Sequence, residues 1–242
     1  MYYSDQPIQD SNGDKLGRKP FAMRVAHAIM DLHSRDCFTV SLQGKWGCGK
    51  TSIINMILAE IERTSNDSQI RVIRFNPWNF TDTTQLINQF FVALSSNLKV
   101  GNPADKASRA GEAIEKYSVA FKYAQFIPSI GQYANIVPDI IKAVGQNIKK
   151  IGDRYNDIAY QKTQVEKALN EMDEKLLVVI DDIDRLPNEQ IRLIFQLVNS
   201  VAGFPNTIYL LSFDKDIVAQ ALDCVQGRGA EYLEKIIQVP FE

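Results

Sequence analysis

The sequence predicts an α/β fold on a parallel sheet, with a helical insertion near its middle. Three stretches predict it. Cys37-Phe38-Thr39-Val40-Ser41-Leu42 reads as a buried strand, runs into a glycine-rich turn, and is followed by Ile53, Ile54, Ile57, Leu58 and Ile61 at helical spacing. Lys175 to Ile180 is a continuous apolar run ending in Asp181 and Asp182, as expected of a strand buried on both faces of a parallel sheet. Thr207 to Phe213 is a further buried strand with polar residues at its end.

At 242 residues and 45% hydrophobic content, the chain can bury the core of one α/β domain with an insertion. A formal net charge of −2 gives no bulk attraction to nucleic acid or anionic membrane, so no nucleic-acid partner is expected. Cys37, Cys48 and Cys224 are odd in number and form no C-x-x-C, which indicates neither a disulfide framework nor a zinc site. A reducing, cytoplasmic location is expected, since Met1 to Gly17 is polar and lacks the apolar core of a signal peptide. The longest charge-free stretch, Tyr123 to Pro138, carries Gln125, Gln132 and Asn135 and falls short of the ~18 apolar residues a spanning helix needs.

Taken in order, residues 4–19 form a turn-rich lead-in. From Pro20, residues Phe21, Val25, Ala26, Ile29 and Leu32 mark one helix face, placed either at the sheet edge near a ligand or in the core. Ile70 to Phe75 reads as a strand closed by Pro77, and Trp78 is read as an aromatic plug in the core rather than a crevice residue. Leu86, Ile87, Phe90, Phe91, Leu94 and Leu98 make a strongly amphipathic helix. Residues 100–173 read as a helical insertion between two core halves, 1–99 and 174–242. Within it the cationic run Lys142 to Arg154 reads as a solvated helix face, with a membrane-surface or partner contact as the alternative. A helix from Asn188 or Pro187, another marked by Ile217, Val218, Ala221 and Leu222, and a last strand over Ile236 to Phe241 complete the chain.

Two of these elements carry chemistry. Gly44-Lys45-Trp46-Gly47-Cys48-Gly49-Lys50-Thr51 fits the phosphate-loop pattern G-x-x-x-x-G-K-[ST]. Its glycines let backbone N–H groups point at phosphate oxygens, and the following helix, beginning with residues such as Ser52, adds its positive end. Lys50 is expected to reach the β- and γ-phosphates and Thr51 to hold Mg²⁺. Asp181 is the expected second metal residue, acting through a coordinated water, and Asp182 the group that orients or deprotonates the attacking water. A strand after the acidic one is what an additional-strand phosphate-loop ATPase requires, and its last residues, Ser212 and Asp214, are candidate γ-phosphate sensors. Asp214 has a plain helix cap as its alternative. Arg185 and Arg228 are candidate arginine fingers, with surface ion pairs as the alternative for both.

The chain resembles the KAP family of P-loop NTPases. The residues carrying the resemblance are Ser4-Asp5-Gln6-Pro7-Ile8, Leu16-Gly17-Arg18-Lys19-Pro20-Phe21-Ala22, the phosphate loop, Phe75-Asn76-Pro77-Trp78, Ile180-Asp181-Asp182-Ile183-Asp184-Arg185-Leu186, and Tyr232 to Phe241. The resemblance implies a three-layer P-loop NTPase sandwich with strand order 5-1-4-3-2, with Asp181 and Asp182 serving metal and water. Family members commonly insert transmembrane helices where this chain has a soluble-looking insertion, which leaves only a peripheral membrane contact open. Family chains also usually continue past Phe241 into helical effector or sensor regions, so an effector partner or further domain is expected. Antiviral defence is a role found within the family.

The expected activity is Mg-dependent ATP hydrolysis by a homo-oligomeric switch. The alternative is a nucleotide-dependent scaffold with negligible turnover, and a small-molecule kinase is weaker because nothing reads as an arginine-rich lid. No N-K-x-D guanine motif appears beyond the partial look-alike Asp214-Lys215-Asp216, which favours ATP over GTP.

Overall fold

A computed structural model of the chain describes residues 6–64, 70–80, 82–125, 148–226 and 228–242, with side chains left out at 121–125, 148–156 and 224–226. The cationic run at 142–154 therefore lies outside the described side chains, as does nearly all of the charge-free stretch. The chain divides into two compact units, Met1–Leu86 with Asp173–Glu242, and Ile87–Met172.

The first unit is built on five parallel strands: β1 (Phe38–Gln43), β2 (Ile70–Phe75), β3 (Lys175–Ile180), β4 (Thr207–Phe213) and β5 (Val239–Phe241). Their spatial order is β2-β3-β4-β1-β5, the expected 5-1-4-3-2 viewed from the other edge. The central strands are buried on both faces, which is why their sequences are unbroken apolar runs.

One face is covered by α1 (Lys19–Met30) and α2 (Lys50–Thr64). Val25, Ala26 and Ile29 of α1 are wholly buried and pack with Ile54 and Ile57 of α2 against Leu177, Val179, Ile208 and Leu210, so the core role of α1 is the one realised. Strand alternation sends Phe213 to the other face, where its ring meets Phe195 at 5.6 Å, edge to face. Phe195 lies on α6 (Asn188–Gln196), followed by α7 (Lys215–Gln226) and α8 (Gly229–Ile236). Helices on both faces make the expected three layers.

Two local expectations fail. Trp78 is 53% exposed and is no core plug. Asn76 accepts the Trp78 N–H at 3.0 Å, starting a 3-10 turn that buries Pro77 and turns the indole outward, while Phe75 and Phe80 stack on each other at 5.8 Å. The last strand is also shorter than expected. Leu233 and Ile236, three residues apart, are both buried on α8, and Ile237 N–H bonds Leu233 O, so the helix claims Ile236 and the strand begins at Val239.

The second unit contains most of α3 (Thr83–Leu98) with α4 (Lys106–Gln125) and α5 (Ile148–Asn170). Phe91 and Tyr117 meet edge to face at 5.6 Å, and burial, with the charge of Glu166 adding to it, pushes the Tyr117 phenol up. Gly111 lets α4 lie against α3: a Cβ there would stand 2.9 Å from Ser95 O. Among the described residues, no helix is long and apolar enough to cross a membrane.

Candidate functional site

The register of the parallel strands brings the chemistry to one sheet edge. Ile180 pairs with Leu211, and Leu42 and Gln43 with Ser212 and Phe213, so the segments after β1, β3 and β4 leave the sheet side by side. Gly44 N–H bonds Phe213 O at 3.1 Å, tying the start of the glycine loop to the end of β4.

The loop's shape follows from its glycines. Gly47 and Gly49 have φ of 78° and 87°, a left-handed conformation open to glycine without steric cost. Cys48 N–H bonds Lys45 O at 3.2 Å, and α2 begins at once with Lys50. The result is a concave run of N–H groups at the positive end of a helix, which fits a phosphate chain. Gly44 is needed for a different reason: a Cβ there would lie 2.6 Å from Cys48 Sγ.

Lys50 is nearly buried, with its Nζ 2.8 Å from Gly44 O, 3.4 Å from Lys45 O and 3.3 Å from Asp184 Oδ2. Thr51 donates its hydroxyl to Asp181 Oδ2 at 2.7 Å. Asp181 Oδ1 in turn accepts the backbone N–H of Asp182 at 2.9 Å. Thr51 and Asp181 are hard oxygen donors of the kind Mg²⁺ takes when phosphate oxygens complete its shell. No group of three or more His, Cys, Asp and Glu suited to a metal occurs among the described residues, so a cation here would depend on that hydroxyl and on oxygens brought by the nucleotide.

Asp182 sits in the left-handed region, φ 59° and ψ 32°, a strained conformation for a residue with a side chain. Burial pushes its carboxyl up, with Asp181 adding repulsion, while Arg185 opposes the shift. Arg185 Nε lies 2.9 Å from Asp182 Oδ1, so the expected finger and the expected water-orienting group form an ion pair.

The remaining expected residues are more scattered. Asp214 Oδ1 accepts the N–H of Asp216 at 3.0 Å and its carbonyl the N–H of Val218, so its side chain caps α7. Ser212 is wholly buried, and its hydroxyl has no hydrogen-bond partner among the described residues. Trp46 is 74% exposed, and the exposed Lys45 lies 3.8 Å from Asp216. Arg228 pairs with Glu231 of its own helix at 3.3 Å, both exposed.

Several contacts were not foreseen from residue types. Arg18 Nη1 donates to Cys48 O, bringing a guanidinium against the glycine loop from the lead-in. Ser52 Oγ accepts Ile8 N–H at 3.3 Å, and buried Asn55 donates to Ile8 O at 2.8 Å while accepting from Arg74 Nη1 at 2.9 Å. The only signal for these residues was that Ile8 and Arg18 fall in the motifs carrying the family resemblance.

The chain is 26% identical over 254 aligned positions to the Phage T7 exclusion protein of Escherichia coli (strain K12), covering 98% of this chain and 34% of that protein. It thus spans about a third of that relative's length. Among solved structures, the Aeropyrum pernix ORC2 protein superposes at TM-score 0.47 with 12% identity, over 95% of this chain and 48% of that one. Cdc6p from Pyrobaculum aerophilum superposes at 0.48 with 13% identity, over 95% and 46%. The model of the KAP family P-loop domain matches residues 18–242, taking in the glycine loop, the acidic strand and β4, and the chain belongs to that family of nucleotide-binding domains.

Proposed function

We propose that the chain binds Mg-ATP at Gly44–Thr51 and hydrolyses it as a regulatory switch. The observation that carries this reading is the 2.7 Å bond from Thr51 to Asp181, which joins the phosphate loop to the acidic strand and sets Asp182 beside both. The backbone N–H groups around Gly47 to Ser52 bind the β- and γ-phosphates, and Lys50 neutralises their charge. Thr51, and Asp181 through a coordinated water, would hold the magnesium ion, which would supply charge neutralisation at the phosphate oxygens. Asp182 accepts a proton from, or orients, the attacking water. Its raised pKa moves it toward the range useful to a base.

A second reading has its own support. Asp182 is tied to Arg185, and a carboxylate so engaged is poorly placed to receive a water proton, which favours a nucleotide-dependent scaffold with little turnover. In the switch reading, bound phosphate draws Arg185 away. Likeness to a phage exclusion protein supports a role in antiviral defence, with a homo-oligomer and an effector partner as the means of output. A peripheral membrane contact through the insertion remains part of this proposal.

The deciding experiment is Mg-dependent phosphate release from ATP by the wild type, Lys50→Ala and Asp182→Asn, with mass by light scattering on the same samples. Release lost in both variants supports the ATPase. A wild type that assembles on ATP without releasing phosphate supports the scaffold.

A further inference from the structure

The ammonium of Lys50 has three protons, and three acceptors surround it: Gly44 O, Lys45 O and Asp184 Oδ2. Two of these are carbonyls of the loop itself. The third is a carboxylate from the 3-10 turn Ile183–Arg185, 134 positions away. Both side chains are buried, 8% exposed for Lys50 and 2% for Asp184. The other oxygen, Asp184 Oδ1, is buried with no hydrogen-bond partner among the described residues.

Asp184 differs in this from its neighbours. Asp181 is satisfied by Thr51 and a backbone N–H, and Asp182 by Arg185. Asp184 has Lys50 as the partner of its one satisfied oxygen. A buried ion pair with an orphaned oxygen is poorly compensated for the water both groups gave up, yet removing either partner strands the other charge. Phosphate oxygens in the loop are chemically the same kind of acceptor as this carboxylate. Both ask for the same ammonium protons.

We propose that Asp184 competes with the nucleotide phosphates for Lys50 and so acts as a built-in brake on nucleotide binding. The inference rests on placing the phosphates at Gly44–Thr51. As Lys50 turns to the phosphates, Asp184 loses its counter-ion beside a highly anionic ligand, and the electrostatic conflict falls on the turn Ile183–Arg185. That turn also carries Arg185, the partner of Asp182. Occupancy of the loop is thereby coupled to the position of the residue beside the attacking water. The opposite role, in which Asp184 aims Lys50 at the phosphates, predicts the opposite sign in the test.

The test compares the full chain with Asp184→Asn, which keeps the size and an acceptor oxygen and removes the charge. ADP in EDTA and Mg-ATP are titrated calorimetrically, and both proteins are melted with and without ADP. The expected result is about tenfold tighter ADP binding by the variant, roughly the effect of removing one well-placed competitor for a buried charge. The variant should also melt lower without ligand and gain more on adding ADP, a pair of opposite changes that a purely structural role would not produce. If Asp184→Asn does not fold, Asp184→Ala, which removes the charge without adding bulk, carries the same expectation. Equal or weaker ADP binding by a folded variant overturns the competition. A wild type that binds neither nucleotide overturns the phosphate-site assignment itself, and the competition with it.

Discussion

Thr51 and Asp181, 130 positions apart, share a 2.7 Å hydrogen bond in which the threonine hydroxyl donates and the carboxylate accepts. It closes the gap between the first turn of α2 and the end of β3, the two places from which the proposed phosphate-bound cation would draw its protein ligands. Removing the hydroxyl in Thr51→Ala should weaken Mg-ATP binding by at least about tenfold and leave Mg-free ADP binding nearly unchanged. Thr51→Ser should behave as wild type. Titration calorimetry with and without Mg²⁺ checks this, and an equal loss in both conditions would count against a metal role for Thr51.

Gly44 faces the thiol inside its own loop. The Cβ of Gly44→Ala would stand 2.6 Å from Cys48 Sγ, inside van der Waals contact, so the thiol must swing aside and nucleotide binding should weaken several-fold. The thiol is the obstacle, so Cys48→Ala in the same chain should restore much of the binding. Failure of the double variant to recover would place the defect in the backbone rather than in this contact.

Glu60 supplies the pH dependence. Its side chain is 8% exposed and accepts from Arg63 at 2.6 and 3.0 Å, and these bonds hold its carboxyl below the ordinary range against the opposing effect of burial. A carboxylate depressed in the folded state binds fewer protons there than in the unfolded chain. Its contribution to stability is therefore complete above the ordinary value of 4.5 and is lost as the pH falls through the lower folded value. Urea midpoints should show Glu60→Gln less stable than wild type near pH 7, with the gap closing as the pH falls below 4.5. A gap unchanged by acid would mean the glutamate acts through shape and not through charge.

Asn55 is the clamp on the lead-in. It is buried, donates to Ile8 O at 2.8 Å and accepts from Arg74 at 2.9 Å. Asn55→Leu should remove the bond to Ile8 O and leave exposed Arg74 to water, lowering stability by about 1 kcal/mol and exposing the segment before Arg18 to proteolysis. Limited digestion followed by mass spectrometry reads the cut sites, which should move into residues 6–18 only in the variant.

Much of this fold is written locally. The runs at 175–180 and 207–213 are strands because nearly continuous apolar sequence of that length suits a sheet covered on both faces, while 38–43 alternates Phe, Val and Leu with Thr, Ser and Gln at the strand period. Trp78 was misread because a large aromatic after a strand usually goes inside, whereas here the Asn76 side chain sets a turn that carries the ring outward. Ile236 was misread because the mostly apolar stretch Ile236 to Phe241 looks the same at a helix end as in a short edge strand.

The sequence by itself determined the glycine loop, its lysine and threonine, and the acidic strand, because each depends on neighbours a few positions away. Gly47 and Gly49 take their left-handed backbone wherever the loop is placed. What only the tertiary structure decided is which groups answer those residues. Asp184 reaches Lys50 across 134 positions, Arg18 reaches Cys48 across 30, and Ile8 reaches Ser52 across 44. No local pattern encodes such pairs: Lys50 meets Asp184 only once parallel register sets the ends of β1, β3 and β4 side by side, and the other two contacts form only once the lead-in lies against the glycine loop and α2.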